Sequence, residues 1–408
     1  MTLRTAVLTG VTLTLGQMCA VPVTHAQIAI RGETVHTMAG APISDGVVLI
    51  RDGKIERVGP ASSVEVPGGY REVRARVVTP GLVDAHTVVG VSGYLNQPHD
   101  QDQLETSAPM QPELRAVDAY NPEDKLVEWV RELGVTTMHT GHGPGALISG
   151  QTMVVKPVHP LRTSAVLVPE AMVAATLGEG ALGGQGKPPG TRSKAIAMLR
   201  AELMKARDYA SKLDGPEDKR PARELRQEAL AKVIRKERPL LITAHRSVDI
   251  LAALRVASEF DIRIVLDGAS EAHLLVDAIK AAGVPVIIHA TMFRAGGESE
   301  NLTMEAASIL RKAGIPVALQ SGFEGYVPKT RVVLFEAGMA AARGLTFDEA
   351  LAAITIDAAK MIGVDARVGS LEEGKDADLV LFDGDPFEYT SHVIGVFIDG
   401  EQVSAEVR

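Results

Sequence analysis

The sequence predicts an α/β protein in which a TIM-type (β/α)8 barrel carries a small β-sandwich domain formed by both chain ends. Both ends show the two-residue alternation and turn signals of short strands, whereas the middle alternates strand and helix patterns. The middle also contains eight candidate strands, the number that closes such a barrel. We therefore expect a signal peptide in residues 1–26, the small domain in 27–76 plus 364–408, and the barrel in 77–363.

The N-terminal segment predicts export. Arg4 supplies a positive charge, residues 6–15 form a short and mostly apolar core, and Thr24-His25-Ala26 offers a small-x-small cleavage site. A buried first strand is the alternative interpretation of these residues, and the apolar run is too short to span a bilayer. We expect a periplasmic or secreted mature protein. Cys19 lies within the segment, so the mature chain would have no cysteine, no disulfide and no thiolate ligand.

Short strands are predicted at both chain ends. Residues 47–50 and 54–58 read as a hairpin, with Asp52-Gly53 as its turn. At the other end of the chain, residues 378–382 and 393–398 read as two more strands. The two sets of strands flank a long middle segment and predict one small domain built from both termini.

The middle of the chain alternates strand and helix patterns, which predicts parallel βα units. The candidate strands end near Val83, His139, Lys156, Val168, Ala244, Asp267, His289 and Gln320. The helical patterns between them include Pro122–Leu133, Ser247–Phe260, Glu271–Ala282 and Thr303–Ala313.

Two insertions interrupt this regularity. Residues 92–124 form a long polar loop, and residues 178–190 form a glycine- and proline-rich loop that we expect over the barrel mouth. Residues 193–238 are densely charged and predict solvated helices. Residues 178–183 match G-x-G-x-x-G, but no helix pattern follows directly, so a dinucleotide site is rejected.

Composition limits the classes of partner. The 408 residues are 46% hydrophobic and carry a net charge of −9, which is typical of a globular protein and argues against nucleic acid or an anionic membrane as a partner. Aromatic residues make up only 4%, which disfavours a site that stacks sugars or bases. We expect a small-molecule substrate and no membrane span, and a homo-oligomer is compatible with the composition.

Histidines cluster at the predicted strand ends. Asp84-Ala85-His86 ends the first barrel strand, and Val88 stands two residues further on, where a second histidine would point to the same side. The histidines at or near strand ends are His86, His139, His142, His245, His273 and His289. Because barrel enzymes build their sites from the carboxyl ends of strands, this group predicts a site at that face.

These motifs resemble the amidohydrolase superfamily, and most closely its exported, imidazolonepropionase-like branch. The first-strand signature there is Pro-Gly, two aliphatic residues and Asp-x-His-x-His, which residues 80–88 match except at Val88. Residues 148–156, 244–255 and 354–363 extend the resemblance, which covers about 28–403. The resemblance implies a divalent metal, zinc before others, and hydrolysis of a carbon–nitrogen bond.

The resemblance also indicates a degenerate metal site. The family's first-strand pair falls on His86 and Val88, its fifth-strand histidine on His245 and its sixth-strand histidine on Gly268. Its eighth-strand aspartate falls within residues 320–323, which contain no carboxylate. Two histidines are fewer than the three protein ligands usual in a catalytic zinc site.

Two principal hypotheses follow. In the first, a hydrolase retains a relocated site; its candidate metal ligands are His86, Lys156, His245, His139 and His142. Its candidate catalytic residues are His273 and Asp267, with Glu271 or Glu324 as alternative bases and His289 as a further ligand. In the second, the chain is a catalytically inactive, exported binding or interaction protein on the same scaffold. A metal-free enzyme that uses His245 with a carboxylate is a third interpretation.

Overall fold

The structure is a computed structural model that describes residues 27–95, 97–184, 186–289, 295–322 and 332–408. The predicted signal peptide with Cys19, and the alternative base Glu324, lie outside the described residues. His289 is described as part of a strand, but its side chain is not. None of the helices in these ranges combines the length and apolar character needed to cross a bilayer.

The described residues form strands and helices whose bounds are as follows. The strands are β1 (Ile28–Val35), β2 (Ile43–Arg51), β3 (Lys54–Pro60), β4 (Arg71–Pro80), β5 (Leu82–Thr87), β6 (Val135–Thr140), β7 (Gly150–Gln151), β8 (Met153–Val155), β9 (Val166–Val168), β10 (Val173–Thr176), β11 (Leu240–Ala244), β12 (Ile264–Gly268), β13 (Val286–His289), β14 (Val317–Gln320), β15 (Leu379–Phe382), β16 (Val393–Ile398) and β17 (Glu401–Ser404). The helices are α1 (Lys125–Glu132), α2 (Arg192–Leu213), α3 (Leu225–Ile234), α4 (Ser247–Phe260), α5 (Val276–Ala282), α6 (Ala306–Lys312), α7 (Val333–Ala342), α8 (Phe347–Ala353) and α9 (Ile356–Met361).

Both chain ends contribute to one seven-stranded sheet, in the order β17-β16-β15-β4-β1-β2-β3. The β2–β3 hairpin turns at Asp52-Gly53, where both residues have positive φ, as a tight hairpin turn requires. Ile30 and Ile50 from the N-terminal strands share one buried cluster with Leu379 from the C-terminal strands. This shared core is what joins the two ends of the chain.

Two further sheets form the middle of the molecule. One runs β14-β13-β12-β11-β10-β7 and is parallel from β10 to β14; the other runs β5-β6-β8-β9. Only Thr152 separates β7 in the first sheet from β8 in the second, so the segment 150–155 links the two sheets. On the other side, Thr87 at the end of β5 forms a parallel bridge with Gly322, just after β14.

The interior of these two sheets is a single apolar cluster. It contains side chains from strands of both sheets, namely Val83, Ala85, Val154, Ala174, Leu241, Val265, Ile287 and Ala318. Successive strands thus point a small or branched residue towards a common centre, as in the packed interior of a barrel. A larger cluster lies between the strands and the surrounding helices.

The prediction that all eight candidate strands are parallel was wrong for two of them. The strand that ends before Lys156 is antiparallel to β6, and the strand that ends at Val168 is β9, an antiparallel neighbour of β8. The strand that pairs with β11 is β10, whose Ala174 and Ala175 give little sequence signal because alanine is depleted in strands. The charged segment is helical as predicted, in α2 and α3, and α4 spans the predicted residues 247–260.

Candidate active site

A cavity of about 280 Å³ opens at the carboxyl ends of β5, β10, β11 and β12. Its polar lining comes from His86, Thr87, Thr176, Thr243, His245, Asp267 and Glu298. A larger hollow of about 960 Å³ lies at the opposite end of the strands, beside residues that precede β12, β13 and β14. Since barrel enzymes carry their chemistry at the carboxyl ends, the smaller cavity is the candidate site.

A buried histidine–carboxylate pair forms one wall of the cavity. Nδ1 of His86 lies 3.0 Å from Oδ1 of Asp267, and both side chains are only 4% exposed. Because an ionised carboxylate only accepts, Nδ1 of His86 carries the proton and donates. Burial lowers the pKa of His86, but the charge and hydrogen bond of Asp267, helped by Asp84, outweigh burial and raise it above its ordinary value.

Asp267 is held by two further donors. The hydroxyl of Thr243 donates to Oδ2 at 2.5 Å, and the side-chain amide of Gln320 donates to Oδ1 at 2.7 Å. The donors come from β11 and from the end of β14, on either side of β12. The carboxylate is therefore fixed in position from three strands.

Asp84, two residues before His86 in β5, belongs to a separate hydrogen-bond network. It accepts hydrogen bonds from the amide and hydroxyl of Ser321, and the amide of His86 donates to it at 3.3 Å. Burial raises the pKa of Asp84 to about 6, although these hydrogen bonds oppose the shift. Asp84 thereby ties the end of β5 to the residues after β14.

His245 also lines the cavity. Its Nδ1 lies 2.8 Å from the hydroxyl of Ser270, and burial lowers its pKa although Asp267, Glu298 and Asp249 oppose the shift. The ring lies against Gly268: a Cβ placed there would come within 2.7 Å of Cε1 of His245. The pKa of His245 is therefore shifted in the direction opposite to that of His86, which lines the same cavity.

His139 at the end of β6 and His142 just after it are two further candidate metal ligands, and both side chains are buried. His139 donates from Nδ1 to the Ala85 carbonyl and accepts at Nε2 from the Thr152 hydroxyl, both at 2.6 Å. Burial and the charge of His86 lower the pKa of His139 to about 3. His142 is also buried, which lowers its pKa to about 4, and its ring packs on Gly150.

Lys156 does not belong to the site. Because β8 runs antiparallel to β6, Lys156 follows it away from the cavity, and its Nζ contacts the carboxylates of Asp376, Asp378 and Asp399 at 2.6–2.9 Å. The side chain is fully buried at the junction with the seven-stranded sheet. The prediction of Lys156 as a metal ligand is therefore wrong for this chain.

His273 and Glu271 are placed beside the cavity wall without lining it. Nδ1 of His273 lies 3.2 Å from the carbonyl of Ser270, within its own short helical turn. Glu271 accepts from the amide of Ser247 at 2.5 Å and from Asn301 at 2.8 Å, so it secures the start of α4. Of the two predicted catalytic residues, the structure brings Asp267 to the cavity and not His273.

Three residues of the site were not predicted from the sequence. Thr243 and Gln320 hold Asp267, and Glu298 lines the cavity while accepting from the amide of Glu179 at 2.8 Å and from Arg192. Thr243 could have been found, since it lies two residues before His245 and so shares its side of a strand. Glu298 lies in a single short turn, Gly297–Ser299, and carries no periodic signal.

The described residues do not form a set of metal ligands. No group of three or more histidine, cysteine, aspartate or glutamate side chains in the described ranges could hold a metal ion. Asp267 is engaged by three donors, and both ring nitrogens of His139 are engaged. His86 retains only Nε2, a buried atom with no hydrogen bond of normal geometry, although the His142 backbone lies near enough to favour the charged ring.

Comparisons with known proteins agree with the fold. Residues 325–403 match the model of the amidohydrolase family. An amidohydrolase from Thermotoga maritima MSB8 is 30% identical, with a TM-score of 0.87 over 93% of this chain and 100% of that one. The imidazolonepropionase of Stenotrophomonas maltophilia is 26% identical over 84% of this chain and 87% of that protein.

A longer relative matches over part of its length. Amidohydrolase tasK of Hapsidospora irregularis is 26% identical over 87% of this chain, which spans only 39% of that protein. The full-length structural match to the Thermotoga protein carries the assignment, together with the strand-end site. The chain belongs to the amidohydrolase superfamily.

Proposed function

We propose that this chain is a hydrolase that cleaves a carbon–nitrogen bond of a small amide, lactam or peptide-like substrate bound in the 280 Å³ cavity. The observation that carries the proposal is the pairing of two histidines in opposite electrostatic environments on one cavity. The pKa of His86 is raised by the charge and hydrogen bond of Asp267, whereas burial lowers the pKa of His245. Separated protonation states of this kind are the usual arrangement of an acid and a base.

The proposed reaction uses groups of this chain alone. His245, in the tautomer whose Nδ1 donates to Ser270, takes a proton from a water molecule as the water oxygen attacks the substrate carbonyl carbon. The charge of His86 stabilises the oxyanion that forms. The C–N bond then breaks, the proton passes from His245 to the departing nitrogen, and the products are a carboxylic acid and an amine.

Three features of the fold are proposed with this function. We propose that the two middle sheets form a closed (β/α)8-type barrel, supported by the shared segment 150–155 and the bridge between Thr87 and Gly322. The domain limits predicted above and the export of a mature chain from residue 27 are part of the same proposal. The relatives support the family, while the substrate is left to experiment.

A substrate panel tests the function. Purified chain is assayed against small amides, lactams and dipeptides, alongside His245→Gln and the control His392→Gln, whose exposed ring pairs with Asp383 far from the cavity. Loss of the base is expected to lower kcat/KM by roughly 100-fold or more, and the control by less than about twofold. Equal turnover in both variants would contradict the assignment of His245.

A binding protein without catalysis is the second candidate. The observation that favours it is the loss of ligand-type side chains at Val88, Gly268 and Gly322. It predicts no turnover on any of these substrates, a measurable affinity for one of them, and little change of that affinity in His86→Ala. Turnover by the wild type that is lost in His86→Ala would rule it out.

A further inference from the structure

We infer that the cavity is a rebuilt site that works without a metal ion. Hydrogen-bond donors of this chain engage its buried carboxylate, and other side chains fill the positions where the family has metal ligands. The inference rests on the proposed function only in assigning the cavity to a substrate. Such a cavity is neither a relocated metal centre nor an abandoned site. The residues at the positions that lack a metal ligand have other structural roles in the present site.

Asp267 is the carboxylate that faces the cavity, and its charge is already compensated. Its two oxygens accept from His86 at 3.0 Å, Gln320 at 2.7 Å and Thr243 at 2.5 Å. Oδ1 accepts from two of these donors, so a cation bound there would displace one of them and would face the Nδ1 proton of His86. The donors thus do for Asp267 what a divalent cation does elsewhere: they compensate a buried negative charge.

Gly268 lies where the family places a histidine. Its φ of +73° lies in the left-handed region, and a Cβ there would come within 2.7 Å of the His245 ring. His245 therefore stands in space that any side chain at position 268 would need. A histidine at position 268 would therefore require the His245 ring to move from its present position.

Val88 and Gly322 are the other two positions that lack a ligand. Val88 is 4% exposed and packs in the main core cluster, and it contributes an apolar side chain to the cavity lining. Gly322 has φ +71°, bridges Thr87, and its amide lies 3.3 Å from the His86 carbonyl. This left-handed backbone favours glycine, although aspartate adopts it more readily than most residues, as at Asp52. Each of the three vacated positions is now committed to another structural role.

Few nitrogen donors remain for a metal. His139 uses both ring nitrogens, and His86 uses Nδ1 for Asp267. Nε2 of His86 and the ring of His245 are the ligand-type nitrogens that the described cavity lining still offers. Within the described residues, His142 has unpaired ring nitrogens but lies outside the lining, and Glu298 in the lining already accepts from Arg192 and the Glu179 amide. Two free nitrogens fall short of the three protein ligands of a catalytic zinc site. The ligand class that fits is a carbonyl compound bound by hydrogen bonds.

Metal content and thermal melting test the inference without any substrate. The full chain is expressed with added zinc and manganese, purified, and measured for bound metal and for Tm with and without a chelator. We expect far less than one metal equivalent per chain and no change in Tm. About one equivalent of retained metal, with a Tm that falls by several degrees on chelation, would overturn the inference, because a ligand bound to the native state raises Tm.

Restoring the family residue provides the second arm. Gly268→His should lower Tm and bind no additional zinc, because the new ring displaces His245, and Gly268→Ala should lower Tm in the same direction as the matched steric control. A Gly268→His variant that binds about one zinc per chain and melts higher than wild type would show that the metal site was merely vacated. Neither result depends on turnover, so failure of the inference and failure of the proposed hydrolase are distinguishable.

Discussion

Two buried clusters of charge lie at opposite ends of β5, and only one of them lines a cavity. At the start of β5, the backbone carbonyl of Asp378 accepts from the amide of Gly81, and its carboxylate shares the ammonium of Lys156 with Asp376 and Asp399. At its end, His86 pairs with Asp267 beside open space. The first cluster joins two parts of the fold and offers nothing to a ligand, whereas the second keeps a buried nitrogen without a normal hydrogen bond.

The difference shows how to distinguish charged side chains that stabilise the fold from charged side chains that can act on a bound ligand. Lys156 carries three carboxylate partners, and the additional cations Lys54 and Arg367 also contact Asp376. Such a network is closed and leaves no capacity for a substrate. A buried pair that lines a cavity, such as His86 and Asp267, retains that capacity.

The largest expected effect comes from opening the closed cluster. Lys156→Met leaves three carboxylates without their buried cation and should lower the free energy of unfolding by about 3–5 kcal/mol. Lys54→Met is the matched control, because Lys54 contacts the same Asp376 but is 51% exposed, and should cost about 1 kcal/mol or less. Urea unfolding measures both; similar losses in the two variants would break the contrast.

The next effect comes from the cavity pair. Asp267→Asn removes the charge that His86, Thr243 and Gln320 share and should lower the free energy of unfolding by about 1.5–3 kcal/mol. Asp383→Asn is the surface equivalent, since Asp383 pairs with the half-exposed His392 at 2.9 Å, and should change it by less than about 1 kcal/mol. The comparison fails if the surface pair proves as costly to break as the buried one.

Acid should weaken the junction in a defined pH window. Burial would raise the pKa of Asp376, but the charge of Lys156 and three cationic donors lower it from 3.8 to about 2. A depressed carboxyl stabilises the fold above its unfolded pKa, so about 2 kcal/mol should be lost as the pH falls from about 4 to about 2. Urea unfolding against pH measures this loss, which Lys156→Met should reduce.

Asp378 has the opposite sign. Burial raises its pKa to about 6, with the charge of Asp399 adding to the shift and Lys156 opposing it. Its contribution to stability should therefore grow as the pH falls from about 6 towards 4, before the loss from Asp376 begins. In the pH series, a steady decline from pH 7 to pH 4 in wild type, absent in Asp378→Asn, would contradict this sign.

The smallest effect concerns one donor to Asp267. Thr243→Val keeps the shape of the side chain and removes the hydroxyl, and should lower the free energy of unfolding by about 1 kcal/mol. Thr243→Ser retains the donor and is expected to recover most of the effect on kcat/KM. If serine and valine behaved alike in kcat/KM, the hydroxyl would have no part in holding the carboxylate.

The sequence predicted the site's location better than its connections. His86, His245 and Asp267 were expected at strand ends, and all three line the cavity. Their pairing could not be predicted, since it depends on which strands face each other across the interior. Lys156 was misplaced because one sequence cannot show that β8 runs antiparallel to β6, which carries the residue to the other end of β5.

The most direct test of the metal-independent hydrolase is one kinetic comparison on any substrate that the wild type cleaves. After chelator treatment and gel filtration, wild-type kcat/KM should be unchanged, and His245→Gln prepared in the same way should be lower by roughly 100-fold or more. Loss of wild-type turnover on chelation, with recovery on adding zinc back, would contradict metal-independent hydrolysis by this chain.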